Sequence, residues 1–301
     1  MAQQVDIFYC VPLGDMNILF WLVIGLMLMF VAVLFMLGRA MQRKEWEALA
    51  RDELRQVIIS AVIGIAVVGL ASIFCYLSGI VMQDIAQGMT HFQYAKNYIS
   101  FMVDGLGIPL IQTMYKYSYT CTILEIMGPA TIFGGNLFSG LATVTVAVEK
   151  VNDMLFTPLV ASLSIQQILL QAAEAFSITL FLPCGMILRA FRPTRVGGAF
   201  LISVAFGAFV VLPFTYVINY QITKQILPGF GTAQVVDTTS LEEAFSLKDP
   251  TKVLDFMNDV LFSYIDRGGL LAPQAIILPL VNLAIVTAFI STFTEFLKDL
   301  G

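Results

Sequence analysis

Charge is what this sequence has least of. Asp, Glu, Lys and Arg make up 12% of its 301 residues and hydrophobic residues 58%, against about 25% charge in soluble chains. That balance excludes a soluble globular class and fits an all-α, polytopic membrane protein. Histidine occurs once, at His91, and the four cysteines, Cys10, Cys75, Cys121 and Cys184, form no C-x-x-C pair. A zinc or haem site and His- or Cys-based catalysis therefore lack their residues, and no metal or cofactor is expected. Sixteen Lys and Arg against twenty-one Asp and Glu leave a net charge of -5, so the total charge attracts neither nucleic acid nor anionic lipid. Any DNA contact has to be local. Also missing are a G-x-x-x-x-G-K-[ST] phosphate loop, H-E-x-x-H, G-x-S-x-G, an intramembrane aspartate pair and the matched broken helices of inverted-repeat transporters. The chain is not expected to be an enzyme, and energy, if used, comes from a partner. Because Met1 to Asn17 is polar and acidic with no basic n-region, a cleavable signal peptide is not expected either.

What is present is a series of uncharged runs long enough to cross about 30 Å of hydrocarbon, which takes about 20 residues. Ile18 to Leu37, Val57 to Val81, Val196 to Ile218 and Leu270 to Phe293 qualify outright. A fifth run, Leu155 to Leu188, is interrupted only by Glu174 and would measure about 50 Å as one helix, so Pro158 and Pro183 near its ends predict a kinked or protruding end. Gly105 to Val148 is apolar but broken by Gly105, Gly107, Pro109, Gly128, Pro129, Gly134, Gly135 and Gly140. It reads as a re-entrant or interfacial region.

Basic residues set the orientation. Arg39, Arg43, Lys44, Arg51 and Arg55 fill the first linker, Arg189, Arg192 and Arg195 fill the turn after the fifth run, and Lys298 lies in the tail. Placing these nine of the sixteen Lys and Arg in the cytoplasm gives an outside N-terminus and a cytoplasmic C-terminus. It also requires the Gly-rich region to cross zero times or twice, so five spans are expected and seven is the alternative. The reading is a multi-pass protein of the cytoplasmic (cell) membrane, a transmembrane helical bundle with amphipathic extracytoplasmic helices.

The outer loop Asn219 to Gly269 has a helical pattern. Ser240 to Glu243 forms a capping box, and Asp249-Pro250 opens an amphipathic helix. Its apolar face carries Val253, Leu254, Phe256, Met257, Val260, Leu261, Tyr264 and Ile265, with Asp255, Asn258, Asp259 and Asp266 on the remainder. Such a face covers the membrane surface, its own bundle or a partner subunit, and Phe256, Met257, Val260, Leu261 and Tyr264 are the partner-facing candidates. Gln83 to Met102, with Phe92, Tyr94, Tyr98 and Phe101, reads as an outer-interface helix with aromatic anchors. On the inner side, Arg39 to Arg55 alternates in charge sign, as a connector or a docking helix does.

Glu174 is the one ionisable residue at depth, with Gln166, Gln167 and Gln171 on neighbouring turns. A membrane carboxylate is costly unless neutralised or solvated. Two readings stay open: Glu174, Gln171 and Gln167 line an aqueous path, or they hydrogen-bond between packed helices. Small residues four apart, Ala71, Cys75 and Gly79 in the second span and Ala199, Ser203 and Gly207 in the fourth, permit close helix approach.

The most distinctive stretch is LPCGMILRAFRPTRVGGAFLISVAFGAFVVLPFTYVI, Leu182 to Ile218. It runs from a span ending in Pro-x-Gly, through a basic turn around Pro193, to a Gly-Gly pair opening the next span. This resembles the polytopic channel subunit of type IV secretion and conjugation machines, the TrbL-like family, and in particular its archaeal DNA-import, CedA-like branch. The closing ISTFTEFLKDLG, Ile290 to Gly301, is similar to the tail of that group. The resemblance implies a homo-oligomeric membrane component of a DNA-transfer complex. It would work beside a separate ATPase and pilus-like subunits, as part of the passage or of the pilus-assembly platform. It also implies that Arg189, Arg192 and Arg195 sit at the inner mouth, near transiently passing DNA or the ATPase, or serve only to set topology. No catalytic residues carry over. The outer loop departs from a DNA-attracting vestibule, since Asp237, Glu242, Glu243, Asp249, Asp255, Asp259 and Asp266 outnumber Lys248, Lys252 and Arg267. The competing classes are a stand-alone small-solute transporter or channel, with Glu174 as coupling group, and a scaffold that transports nothing.

Overall fold

The computed structural model describes residues 13–42, 44–82, 89–127, 141–226, 262 and 267–299. The amphipathic helix bearing Phe256, Met257, Val260, Leu261 and Tyr264, the capping box at Ser240, and the glycines from Gly128 to Gly140 lie outside these residues. Within them the secondary structure is helical: α1 (Leu13–Ala40), α2 (Lys44–Met82), α3 (91–127), α4 (141–190), α5 (195–226) and α6 (267–299). Five stretches are long and apolar enough to cross a membrane, Trp21–Ala40, Lys44–Ser78, Thr143–Arg189, Arg195–Gln225 and Arg267–Asp299. The chain is a multi-pass membrane protein, resident with its apolar flanks in lipid.

Two expectations change in detail. The fifth apolar run is part of a longer helix: Thr143–Arg189 counts 47 residues, about 70 Å at 1.5 Å per residue. The stretch expected to be broken is helical through Met127 despite Gly105, Gly107 and Pro109.

The prolines explain how such long helices stay continuous. Proline offers no N–H, and its ring presses on the carbonyl four residues back. Pro109, Pro158, Pro183, Pro213 and Pro279 are each the second residue after a widened π turn, namely Phe101–Gly107, Asn152–Phe156, Ser177–Phe181, Gly207–Val211 and Pro273–Ile277. In each case the residue just before the proline donates its N–H five residues back, as Leu212 does to Gly207 and Leu278 to Pro273. The extra residue in the turn makes room for the ring and keeps the chain helical.

The chain divides into two compact units. One comprises Met1–Lys96, Ile168–Ile222 and Val281–Gly301; the other comprises Asn97–Gln167 and Thr223–Leu280. In the first, α1 and α2 form an antiparallel hairpin in which a Cβ on Gly38 would sit 3.1 Å from the Trp46 Cβ. The end of α4 and the start of α5 form a second, tighter hairpin. The small-residue stripes predicted for close approach are buried at Ala71, Cys75, Ala199, Ser203 and Gly207.

Three contacts fix the two ends of this unit. Phe30 and Phe191 stack edge to face with centroids 5.3 Å apart, and Arg189 Nη2 donates to the Leu297 carbonyl at 2.9 Å. The first linker, the basic turn and the tail therefore share one end. At the other end Gln221 Nε2 donates to the Val81 carbonyl at 2.7 Å. The rise from Arg195 to Gln221 along α5 is about 39 Å, enough to cross hydrocarbon about 30 Å thick.

The second unit has its own pairing. Tyr115 donates to Asp153 at 2.7 Å and Ser118 to Glu149 at 2.6 Å, the register of antiparallel α3 and α4. Gly107 admits Val160, and Gly268 admits the Phe156 ring, where a Cβ would come within 2.7 and 2.5 Å respectively.

Candidate functional site

The helix read as an outer-interface element starts at His91 and is held by a reciprocal box. The Thr90 N–H donates to Gln93 Oε1 at 2.9 Å and the Gln93 N–H to Thr90 Oγ1 at 3.2 Å, the two-way arrangement that satisfies free N–H groups at a helix start. Its rings are not anchors at a water boundary: Phe92, Tyr94 and Tyr98 are buried. Apolar rings of this size stabilise more when enclosed than when exposed.

This first turn and a half brings two polar groups into the first unit. His91 Nε2 lies 2.8 Å from the carbonyl of Phe209; a carbonyl only accepts, so Nε2 carries the hydrogen. Lys96 Nζ forms an ion pair and hydrogen bond with Glu174 Oε2. It is the one ion pair among the described residues. No local pattern identifies this partner, since Lys96 lies 78 positions from Glu174. The only cue was that a carboxylate at depth demands a cation.

The other glutamines separate. Gln171 is exposed on the face next to Glu174, Gln166 is buried, and Gln167 is half-buried; the last two belong to the second unit. Glu174 thus hydrogen-bonds to a lysine of another helix. Nearer the Gln221–Val81 end of the first unit, Asn219 Nδ2 donates to Asn282 Oδ1 at 3.2 Å.

At the basic turn the three arginines have different settings. Arg189 is fully enclosed and reaches the last turn of α6, so in this conformation it touches no phosphate. Arg195 is half-buried, and the side chain of Arg192 lies outside the described residues.

One rule covers four long-range side-chain bonds. His91 serves the Phe209 carbonyl, Ser162 Oγ the Ala275 carbonyl at 2.9 Å, Gln221 the Val81 carbonyl and Arg189 the Leu297 carbonyl. An α-helix would bond Phe209 to residue 213 and Ala275 to residue 279, and both are prolines. Val81 and Leu297 stand in the last turns of α2 and α6, where carbonyls have no donor ahead of them. Each acceptor is one that its own helix leaves unserved, and hydrocarbon offers no water in its place.

Among the described residues no group of three or more His, Cys, Asp or Glu is placed to hold a metal ion. Cys121 and Cys184 are free thiols. Burial pushes the Cys121 thiol up and its neighbour Tyr117 up to about 12, which keeps both protonated and the thiol a poor nucleophile. No protein-family model, curated protein or solved structure matches the chain.

Proposed function

We propose that this protein is an integral membrane subunit of a DNA-transfer complex of the type IV secretion or DNA-import kind. It forms part of the translocation passage or the pilus-assembly platform, and a separate ATPase and pilus-like subunits supply force and substrate. The observation that carries this reading is the packing of the two stretches that resemble the TrbL-like family. Leu182 to Ile218 and Ile290 to Gly301 are far apart in sequence, yet Arg189 bonds the Leu297 carbonyl, Phe206 and Phe293 lie 5.4 Å apart, and Gly207 leaves room for Ile290. Resemblance confined to two segments carries more weight when those segments form one packed body.

The orientation that goes with it is N-terminus outside and C-terminus cytoplasmic. The common end of the first linker, the basic turn and the tail supports it, because the positive-inside rule then applies to one face. With Arg189 enclosed, an approach to phosphates or the ATPase falls to the other arginines of the turn, Arg192 and Arg195. The chain takes no chemical step in this scheme.

A second reading, a small-solute transporter or channel coupled through Glu174, draws on a carboxylate at depth. Lys96 already neutralises it, which removes the main reason for that reading. Affinity purification from native membranes distinguishes the two. Co-isolation with an ATPase, together with loss of DNA transfer when the chain is deleted, is the expected result. A purified chain that moves a small solute alone, with DNA transfer intact in the deletion strain, refutes the proposal.

A further inference from the structure

We infer that the Lys96–Glu174 face of the first unit is an interface with a second copy of this chain, related by a two-fold axis. The ion pair is not enclosed: the Lys96 side chain is 30% exposed and that of Glu174 39%. Glu174 stands 15 residues from Arg189, about 22 Å along the helix, inside a stretch long and apolar enough to span a membrane. Exposed apolar side chains lie on both sides of it along α4, with Ile168 and Leu169 before it and Phe176 and Leu180 after it. Those residues mark lipid level. A half-exposed lysine and glutamate, with the exposed amide of Gln171 beside them, cannot face hydrocarbon without the cost that excludes charges from it.

Water or protein must cover this face, and two features favour protein. Gln171 is mixed with exposed Ile168 and Ala175 on its side of the helix, a surface that suits a packed interface better than the wall of a water-filled path. The charges are also self-complementary. A two-fold contact places residue i against j and j against i. Glu174 of one copy then meets Lys96 of the other while each keeps its own partner, and four alternating charges close into a ring with the two Gln171 amides beside it. The inference stands on the membrane depth of the pair and not on the DNA-transfer proposal, and the experiment below reads no DNA transfer.

The experiment uses the full chain in native membranes, with two affinity tags on co-expressed copies. Gln171→Cys should give a dimer with a short bis-maleimide, over the background of the unsubstituted chain. Adding Glu174→Lys, which makes the face wholly positive, should bring the cross-link down to that background, and Lys96→Glu, which makes it wholly negative, should do the same. The deciding arm co-expresses the two single-charge variants, each with Gln171→Cys. The cross-link should return, and only between differently tagged copies, because positive then meets negative. A role confined to one chain predicts no return, since each copy still lacks its own pair. No return in that arm, when both variants reach the membrane at the level of the parent chain, overturns the inference. So does ready labelling of Gln171→Cys by a membrane-impermeant maleimide without any cross-link, which would assign the face to water.

Discussion

His91 and Phe209, 118 positions apart, are joined by a hydrogen bond of 2.8 Å from Nε2 to a carbonyl that Pro213 has left without its helical donor. The bond ties the buried start of α3 to the widened turn of α5 and places the chain's one histidine at a proline-generated vacancy. The ring packs against Phe92 and Phe209 at centroid distances of 4.8 and 5.4 Å. Its Nε2–H and its ring faces are therefore used, while Nδ1 is enclosed without a hydrogen-bond partner.

Replacing His91 by Phe keeps a ring in the cavity and strands the Phe209 carbonyl. Leaving a buried acceptor unserved costs about 1–3 kcal/mol, so the variant should melt at lower temperature in detergent. His91→Gln, which retains an N–H donor, should recover part of the loss. Equal melting of His91→Phe and the parent chain would show that the carbonyl finds another donor.

Pro213→Ala tests the same vacancy from the other side. An alanine supplies the N–H that an α-helix directs at Phe209, so the carbonyl no longer depends on His91. Combined in a double-mutant cycle, His91→Phe should cost less in the Pro213→Ala background, by at least about 0.5 kcal/mol, the size expected for residues that share a partner. Strict additivity would mean that the widened turn persists without the proline.

The spans were legible because a helix in lipid leaves a composition signal about 20 residues long that needs no knowledge of its neighbours. Glu174 stood out for the same reason. What the sequence concealed was pairing. Lys96 carries no local mark of its partner within Gln83 to Met102, and Phe92, Tyr94 and Tyr98 read as boundary anchors because such rings also occur at an interface; only the return of this segment to α4 and α5 separates the cases. Gly105, Gly107 and Pro109 read as breakers since local propensity penalises them in a helix. The π turn absorbs the proline, and Gly107 makes room for Val160, neither of which a propensity scale records.

Arg189, read from the sequence either as part of an inner mouth or as a topology-setting charge, is enclosed and caps α6 at the Leu297 carbonyl. Arg189→Gln should therefore act on the tail more than on any ligand. Deuterium uptake at Thr294 to Asp299 should rise, with a stability loss of about 1–3 kcal/mol for the unserved Leu297 carbonyl. Arg189→Lys should restore little, because an ammonium lacks the planar fork and strands its own hydration when enclosed. Unchanged exchange in the tail would remove the capping role.

Gly197 and Gly198 are neighbours with opposite surroundings, which makes the α4–α5 corner a sensitive probe of the fold. A Cβ on Gly198 would stand 2.4 Å from the Arg189 backbone nitrogen and 2.6 Å from the Gly185 carbonyl oxygen, whereas one on Gly197 would meet nothing within 4 Å. Backbone cannot rotate away as a side chain can, so Gly198→Ala has to push the two helices apart. Overpacking of this kind typically costs about 1–3 kcal/mol, and here it also shifts Arg189 away from α6. Gly197→Ala should stay within about 0.5 kcal/mol of the parent, as open surface substitutions do. Thermal unfolding of both variants in the same detergent reads the difference directly. If the two alanines behave alike, the close packing of the basic turn described above is wrong, and with it the contact between the two stretches that resemble the secretion subunits.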